Sequence, residues 1–165
     1  MDARKLVGVV ERALASSQTE GGVRTALDVI MGHFTADMGM IHRLNAADQH
    51  LELVATSDGI PEPVLAAARR IPLGKGIAGE TARTGRPVSM CNLQTDTSGV
   101  ARPGAKATGA QGSLCVPIFL GTRVVGTLGV GVRGERTFSE GETEALLAAG
   151  RALAAVLDRA PSSRV

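Results

Sequence analysis

The sequence contains no tryptophan and no tyrosine, and its only phenylalanines are Phe34, Phe119 and Phe138. A nucleobase held by stacking needs aromatic faces, so an aromatic nucleotide platform is excluded. Any pocket must be walled by aliphatic, methionine and glycine positions. Long apolar runs are missing too: the longest, Val124 to Val132, is far too short to span a bilayer. Cysteine is scarce, with Cys91 and Cys115 alone, and Arg4 and Lys5 lead into Val-Gly-Val-Val-Glu-Arg rather than a signal core. A reducing cytoplasm is therefore the expected compartment. Charge of one sign is also lacking. The net charge is +2 and the basic residues are scattered, without the stripe that binds phosphate backbones. Neither nucleic acid nor a membrane is expected as a partner.

What is present suits one soluble domain: 165 residues, 44% hydrophobic and 21% charged, enough to bury a core without staples. Leu6, Val9, Val10, Ala13 and Leu14 mark an amphipathic helix over 3–15. Thr19 is positioned to cap a second, in which Val23, Ala26, Leu27, Ile30, Met31 and Phe34 form one stripe. Met38 to Leu44 and Leu51 to Thr56 then read as a hairpin, with Leu51, Leu53 and Ala55 alternating against Glu52, Val54 and Thr56. Pro61 and Pro63 open a short helix through Ala68. Gly-Lys-Gly-Ile-Ala-Gly leads into a helix that stops at Gly85, and Arg86 to Cys91 reads as a strand.

The polar stretch from there to Gly112 is long for a compact domain and is expected to be a functional loop. Ser113 to Phe119 and Arg123 to Val132 form a second hairpin. Gly126, Gly129 and Gly131 in its second arm suggest close approach by backbone or ligand. Ser139 and Glu142 form a capping box that starts a helix through about Asp158. Because the strands arrive as hairpins, the expected fold is α+β, with an antiparallel sheet and helices on its faces.

Gly74, Gly76 and Gly79 spell Gly-x-Gly-x-x-Gly, with Asp96 further on. A dinucleotide site would need a buried strand feeding this loop within a βαβ unit. The preceding Arg69, Arg70, Ile71 and Pro72 do not read as one, so a tight turn is the expected role. His33, His42 and His50 lack metal spacing, and His33 beside the core stripe reads as a satisfied structural histidine. No metal or cofactor is expected.

Three segments together resemble the GAF family. Ile71 to Leu93 is similar to the family's Gly-x-Gly-Ile-Ala-Gly helix start and Thr-Gly-x-Pro-Val turn. Gly109 to Gly131, with Ser-Leu-Cys-Val-Pro-Ile and Val-Val-Gly-Thr-Leu-Gly-Val, is similar to its paired late strands. Arg136 to Leu157 opens the closing helix with Thr-Phe-Ser-Glu-Gly-Glu. The resemblance implies about six antiparallel strands, helices on both faces, and a ligand pocket between the sheet and the 91–112 loop. It divides the chain into an N-terminal dimerisation helix at 1–18, a GAF domain at 19–158 and a flexible tail at 159–165.

The family layout places Met40 and His42, Met90 and Asn92, and Ser113 and Cys115 around the pocket. Lys75, with amides near Gly76 and Gly79, is an anion contact at the helix start. The implied role is a bacterial small-molecule sensor, homodimeric through its terminal helices, beside a kinase or transcription activator, and not an enzyme. The terminal seam would use Leu146, Gly150, Leu153 and Leu157, with Leu6, Val10 and Ala13 of the first helix. One alternative is a ligand-free dimerisation domain. Another is a thiol-dependent reductase of free methionine sulfoxide, a GAF subfamily that carries a Cys where this chain has Ala78 and its reactive Cys in the preceding loop rather than within the Cys115 strand. Cyclic nucleotides are disfavoured: the Asn-Lys-x-Phe motif of that branch is replaced by Arg-Gly-Glu-Arg-Thr-Phe-Ser after Val132.

Overall fold

A computed structural model describes residues 2–16, 20–100 and 106–159. Thr19 as a helix cap, the boundary between residues 18 and 19, and the tail from 160 onward lie outside them. In chain order the elements are α1 (Ala3–Ala15), α2 (Glu20–Phe34), β1 (Met38–Asn45), β2 (His50–Thr56), α3 (Glu62–Ala68), β3 (Arg70–Pro72), α4 (Gly76–Thr84), β4 (Val88–Met90), a 3-10 turn (Leu93–Thr95), β5 (Gly112–Leu120), β6 (Arg123–Val132) and α5 (Glu140–Arg159). The strands form one sheet in the order β3-β2-β1-β6-β5-β4, every pair antiparallel. The fold is the expected α+β one, with helices on both faces.

The starts and stops have local causes. Asp2 Oδ1 accepts from Lys5 N at 3.0 Å and begins α1. The Ser139 and Glu142 capping box is formed in both directions, at 3.0 and 3.1 Å, and begins α5. Gly85, at a φ of 67°, ends α4 in the left-handed cap that glycine adopts without strain.

One face of the sheet carries α1, α2 and α5 over the main core. Leu6, Val10, Leu27, Ile30, Ile41, Val116, Ile118, Leu128, Leu146 and Leu153 are all fully buried there. The stripe Leu146, Gly150, Leu153 and Leu157 is spent on this intramolecular core, as are Leu6, Val10 and Ala13. A Cβ on Gly150 would sit 3.3 Å from Ile118 Cγ1, so the glycine lets α5 lie close on β5. The other face carries α3, α4 and residues 92–100 and 106–111 over two smaller clusters, one around Met38, Leu93 and Ala110 and one around Leu51, Ile71 and Ala82.

Three local expectations fail. The alternation in β2 does not put Leu51, Leu53 and Ala55 on one face. The register jumps from Ile41↔Ala55 to His42↔Leu53, so Val54 is an inserted residue and the strand changes face at the bulge. Leu51 then joins the α4 side while Ala55 joins the main core. Second, Arg70–Pro72 is a strand after all, pairing with β2 at the sheet edge and burying Ile71. It still supplies no βαβ unit, because β3 is an antiparallel edge strand. Third, His33 Nδ1 is buried without a hydrogen-bond partner; the ring packs edge-on against Phe34, centroids 4.7 Å apart, and burial lowers its pKa.

Candidate functional site

The pleat of the three central strands lays out a grid. Met38, Met40 and His42 of β1 sit opposite Gly131, Gly129 and Thr127 of β6. Those in turn sit opposite Ser113, Cys115 and Pro117 of β5. Alternation sends Leu128 and Val130 of β6 into the main core, so Thr127, Gly129 and Gly131 face the other way. Two adjacent side-chain positions on that face are glycines, and the sheet is hollow where they lie.

Over the hollow is a cavity of about 330 Å³, within the range of small-molecule sites. Its floor is the grid. Ile60, Val64 and Ala68 wall it from the α3 side, Gly76, Ile77 and Ala78 from the start of α4, and Leu93 and Ala110 from the loop. The 3-10 turn places Leu93 inward, only 2% exposed. Gln94 ties the two limbs of the loop together, donating from Nε2 to Ala110 O at 2.7 Å and to Lys106 O at 2.9 Å. Leu93 N and Gln111 N add backbone bonds to Gln111 O and Val132 O at 2.6 and 2.7 Å.

The glycine motif shapes the mouth. Gly74 N donates to Gly79 O at 2.9 Å and Lys75 N to Pro72 O at 3.1 Å. A Cβ on Gly79 would lie 2.6 Å from Pro72 O, so this glycine is required by the close approach of α4 to β3. The motif is a packed turn, as expected. Gly79 N is not free, since it donates to Lys75 O at 3.1 Å. The Gly76, Ile77 and Ala78 amides have no acceptor within the helix.

Electrostatically the interior is neutral. His42 is buried and its Nε2 lies 2.9 Å from Ala68 O. A carbonyl only accepts, so Nε2 carries the proton. Burial lowers the His42 pKa to about 4, so the ring is uncharged at neutral pH. Burial raises the Cys115 thiol to about 11, offset in part by the Thr81 and Thr127 hydroxyls. The nucleophilic thiolate is therefore suppressed. Among the described residues Thr127 Oγ1 has no partner apart from that weakly bonding thiol, and Ser113 Oγ has none. Both residues are buried, at 1% and 9% exposure. Lys75, at the mouth, is exposed.

Of the seven residues expected at the pocket, Met40, His42, Lys75, Ser113 and Cys115 line the cavity, and Met90 and Asn92 do not. Met90 packs behind the wall against the Met38, Leu93 and Ala110 cluster. Asn92 is occupied by local bonds: its Oδ1 caps Gln94 N at 3.0 Å and its Nδ2 donates to Glu135 Oε1 at 2.7 Å. Sequence reasoning missed Thr127, whose signal was available: it continues the Gly129 and Gly131 face of β6 by alternation. Among the described residues no group of three His, Cys, Asp or Glu side chains could hold a metal. No helix among them is long and apolar enough to cross a membrane.

The GAF domain family model matches residues 19–158. The chain belongs to the GAF family. Solved GAF structures share its fold at low identity. The GAF domain of a phosphoenolpyruvate-protein phosphotransferase from Coxiella burnetii superposes with a TM-score of 0.79 at 18% identity, covering 96% of this chain and 94% of that one. The free methionine-R-sulfoxide reductase of Neisseria meningitidis, solved with its substrate, gives 0.76 at 17% identity over 94% and 88%. The nlh2 GAF domain of A. aeolicus in an inactive state gives 0.74 at 18% identity over 94% and 95%. No curated protein matches the chain in sequence. GAF domains of a phosphotransferase and of nlh2 and a free methionine-R-sulfoxide reductase thus share this fold.

Proposed function

We propose that this GAF domain is a regulatory sensor of a small molecule, bound between the sheet and the 92–111 segment, rather than a thiol enzyme. The observation that carries the reading is the cavity itself: about 330 Å³, walled mainly by apolar side chains, with one buried hydroxyl lacking a partner among the described residues and a second bonded only to a thiol. Buried polar groups are normally satisfied, and a bound molecule supplies the missing partners. The catalytic GAF neighbours support a second reading less well, because Cys115 is 5% exposed and its thiol is held protonated, and position 78 is an alanine.

Occupancy reaches the terminal helices through the segment that joins β6 to α5. Asn92 holds Glu135, and Arg136 N donates to Cys91 O at 3.2 Å. The Arg136 guanidinium donates to Phe34 O at the end of α2 and to Glu142 in the first turn of α5, and lies 4.5 Å from the Phe138 ring centroid. A ligand that binds one arrangement of the 92–111 segment more tightly shifts the population of these contacts by its difference in affinity. Pairing of two copies through α5, next to a kinase or transcription activator in the bacterial cytoplasm, completes the proposed signalling unit. The surface left for pairing is Ala148, Ala152 and Ala155, since the leucine stripe is core.

The test is a thermal-shift screen of metabolites on the wild type and on Gly129→Val, where an added Cβ meets nothing nearer than 3.6 Å. A compound that raises Tm of the wild type and not of the filled variant supports the reading. A screen without such a compound, on protein that copurifies with no small molecule by native mass spectrometry, refutes it in favour of a domain that only dimerises.

A further inference from the structure

Two buried hydroxyls, Ser113 Oγ without a partner among the described residues and Thr127 Oγ1 bonded only to the Cys115 thiol, lie at opposite ends of the cavity floor. Ser113 is in the row of Gly131 and Met38, and Thr127 is in the row of Pro117 and His42. These rows are separated by four residues along β5, roughly 13 Å at about 3.3 Å per residue. The row between them is Cys115, Gly129 and Met40, with no group that bonds strongly to a ligand. The floor therefore presents a polar end, a sulfur-lined apolar middle and a second polar end.

Among the described residues no charged side chain lies in the rows between Ser113 and Thr127. The titratable side chains among them that line the cavity are His42, Cys115 and Lys75. His42 and Cys115 stay neutral at pH 7, and Lys75 is out at the mouth. An ionised carboxylate drawn onto Ser113 or Thr127 would leave Lys75, the one charged side chain lining the cavity among the described residues, out at the mouth, and desolvation without a close ionic partner is costly. A neutral hydroxyl, carbonyl or amide would instead satisfy each hydroxyl and lose little. By volume, an apolar cavity of about 150 Å³ holds benzene, so this one has room for about twelve non-hydrogen atoms.

We infer that the molecule sensed is elongated and uncharged, with an aliphatic middle and a hydrogen-bonding group at each end, one meeting Ser113 Oγ and the other Thr127 Oγ1. This rests on the sensor reading above and names its ligand class.

The probes are 1,8-octanediol, 1-octanol, octanoate and octanedioate, titrated into the full chain carrying ¹³C-methyl methionine. The expected result is that the diol shifts the Met38 and Met40 methyls and binds at least tenfold tighter than either anion. Thr127→Val and Ser113→Ala each weaken the diol at least fivefold and leave 1-octanol within twofold. Thr127→Val keeps the side-chain shape, so it carries the test alone if the serine variant does not fold. An anion binding as tightly as the diol, or diol affinity indifferent to the hydroxyl variants, overturns the inference while leaving the site in place. Silence of all four probes overturns it too, and the metabolite screen then decides separately whether the cavity is a sensor site.

Discussion

Asn92 and Glu135, 43 residues apart in sequence, are joined by a hydrogen bond of 2.7 Å from Nδ2 to Oε1. The bond clamps the start of the cavity loop to the segment that leads into α5. A double-mutant cycle of Asn92→Ala and Glu135→Ala should give a coupling of about 1 kcal/mol, the ordinary worth of such a bond. Hydrogen exchange should speed up at the Gln94 amide, which Asn92 Oδ1 also holds. Additive single effects would show that the clamp carries no energy.

Stability should fall on mild acidification because of His42. The unfolded side chain takes a proton near pH 6.5, whereas the buried ring resists until about 4. Between those values the unfolded chain binds the extra proton, so the contribution is full above about 6.5 and is lost as pH falls towards 4. The difference corresponds to about 3 kcal/mol. Urea denaturation at pH 7.0 and 4.5 should show a steeper loss for the wild type than for His42→Gln; equal losses would mean that His42 titrates normally.

The two thiols should react very differently. Cys91 is exposed and Cys115 is buried under the loop with its pKa raised to about 11 by burial. A maleimide should modify Cys91 rapidly and Cys115 only on unfolding. Mass spectrometry of digests settles which site is labelled, and prompt labelling of Cys115 in native protein would contradict its burial.

Glycine replacements should separate by what a Cβ would strike. At Gly126 it would lie 2.2 Å from His42 O, and at Gly32 it would meet nothing within 4 Å. Gly126→Ala should therefore cost about 3 kcal/mol or more, since two sheet strands must part. Gly32→Ala, in the last turn of α2, should be neutral or gain up to about 0.5 kcal/mol from helix propensity. Chemical denaturation curves of both variants check the contrast.

Where a single segment carries its own pattern, the sequence reading is close to the structure. The Ser139 and Glu142 box marks the start of α5, and Arg123 to Val132 is β6. Features decided by pairing escaped it. The Val54 bulge exists only in the register between β1 and β2, and three-residue β3 is shorter than any window in which alternation shows. The site behaves the same way: Met40, His42, Ser113 and Cys115, expected from the resemblance to the GAF layout, line the cavity, whereas Asn92, expected on the same ground, is diverted by Glu135, whose proximity no local pattern reveals.

The two faces of β6 have separate duties, with Leu128 and Val130 on one and Gly129 and Gly131 on the other. Substitutions at Gly129 alter the depth of the cavity floor without trimming a core side chain. Such a strand allows the shape of the cavity to drift between descendants of this gene by single codon changes while the folding free energy is guarded on the reverse side.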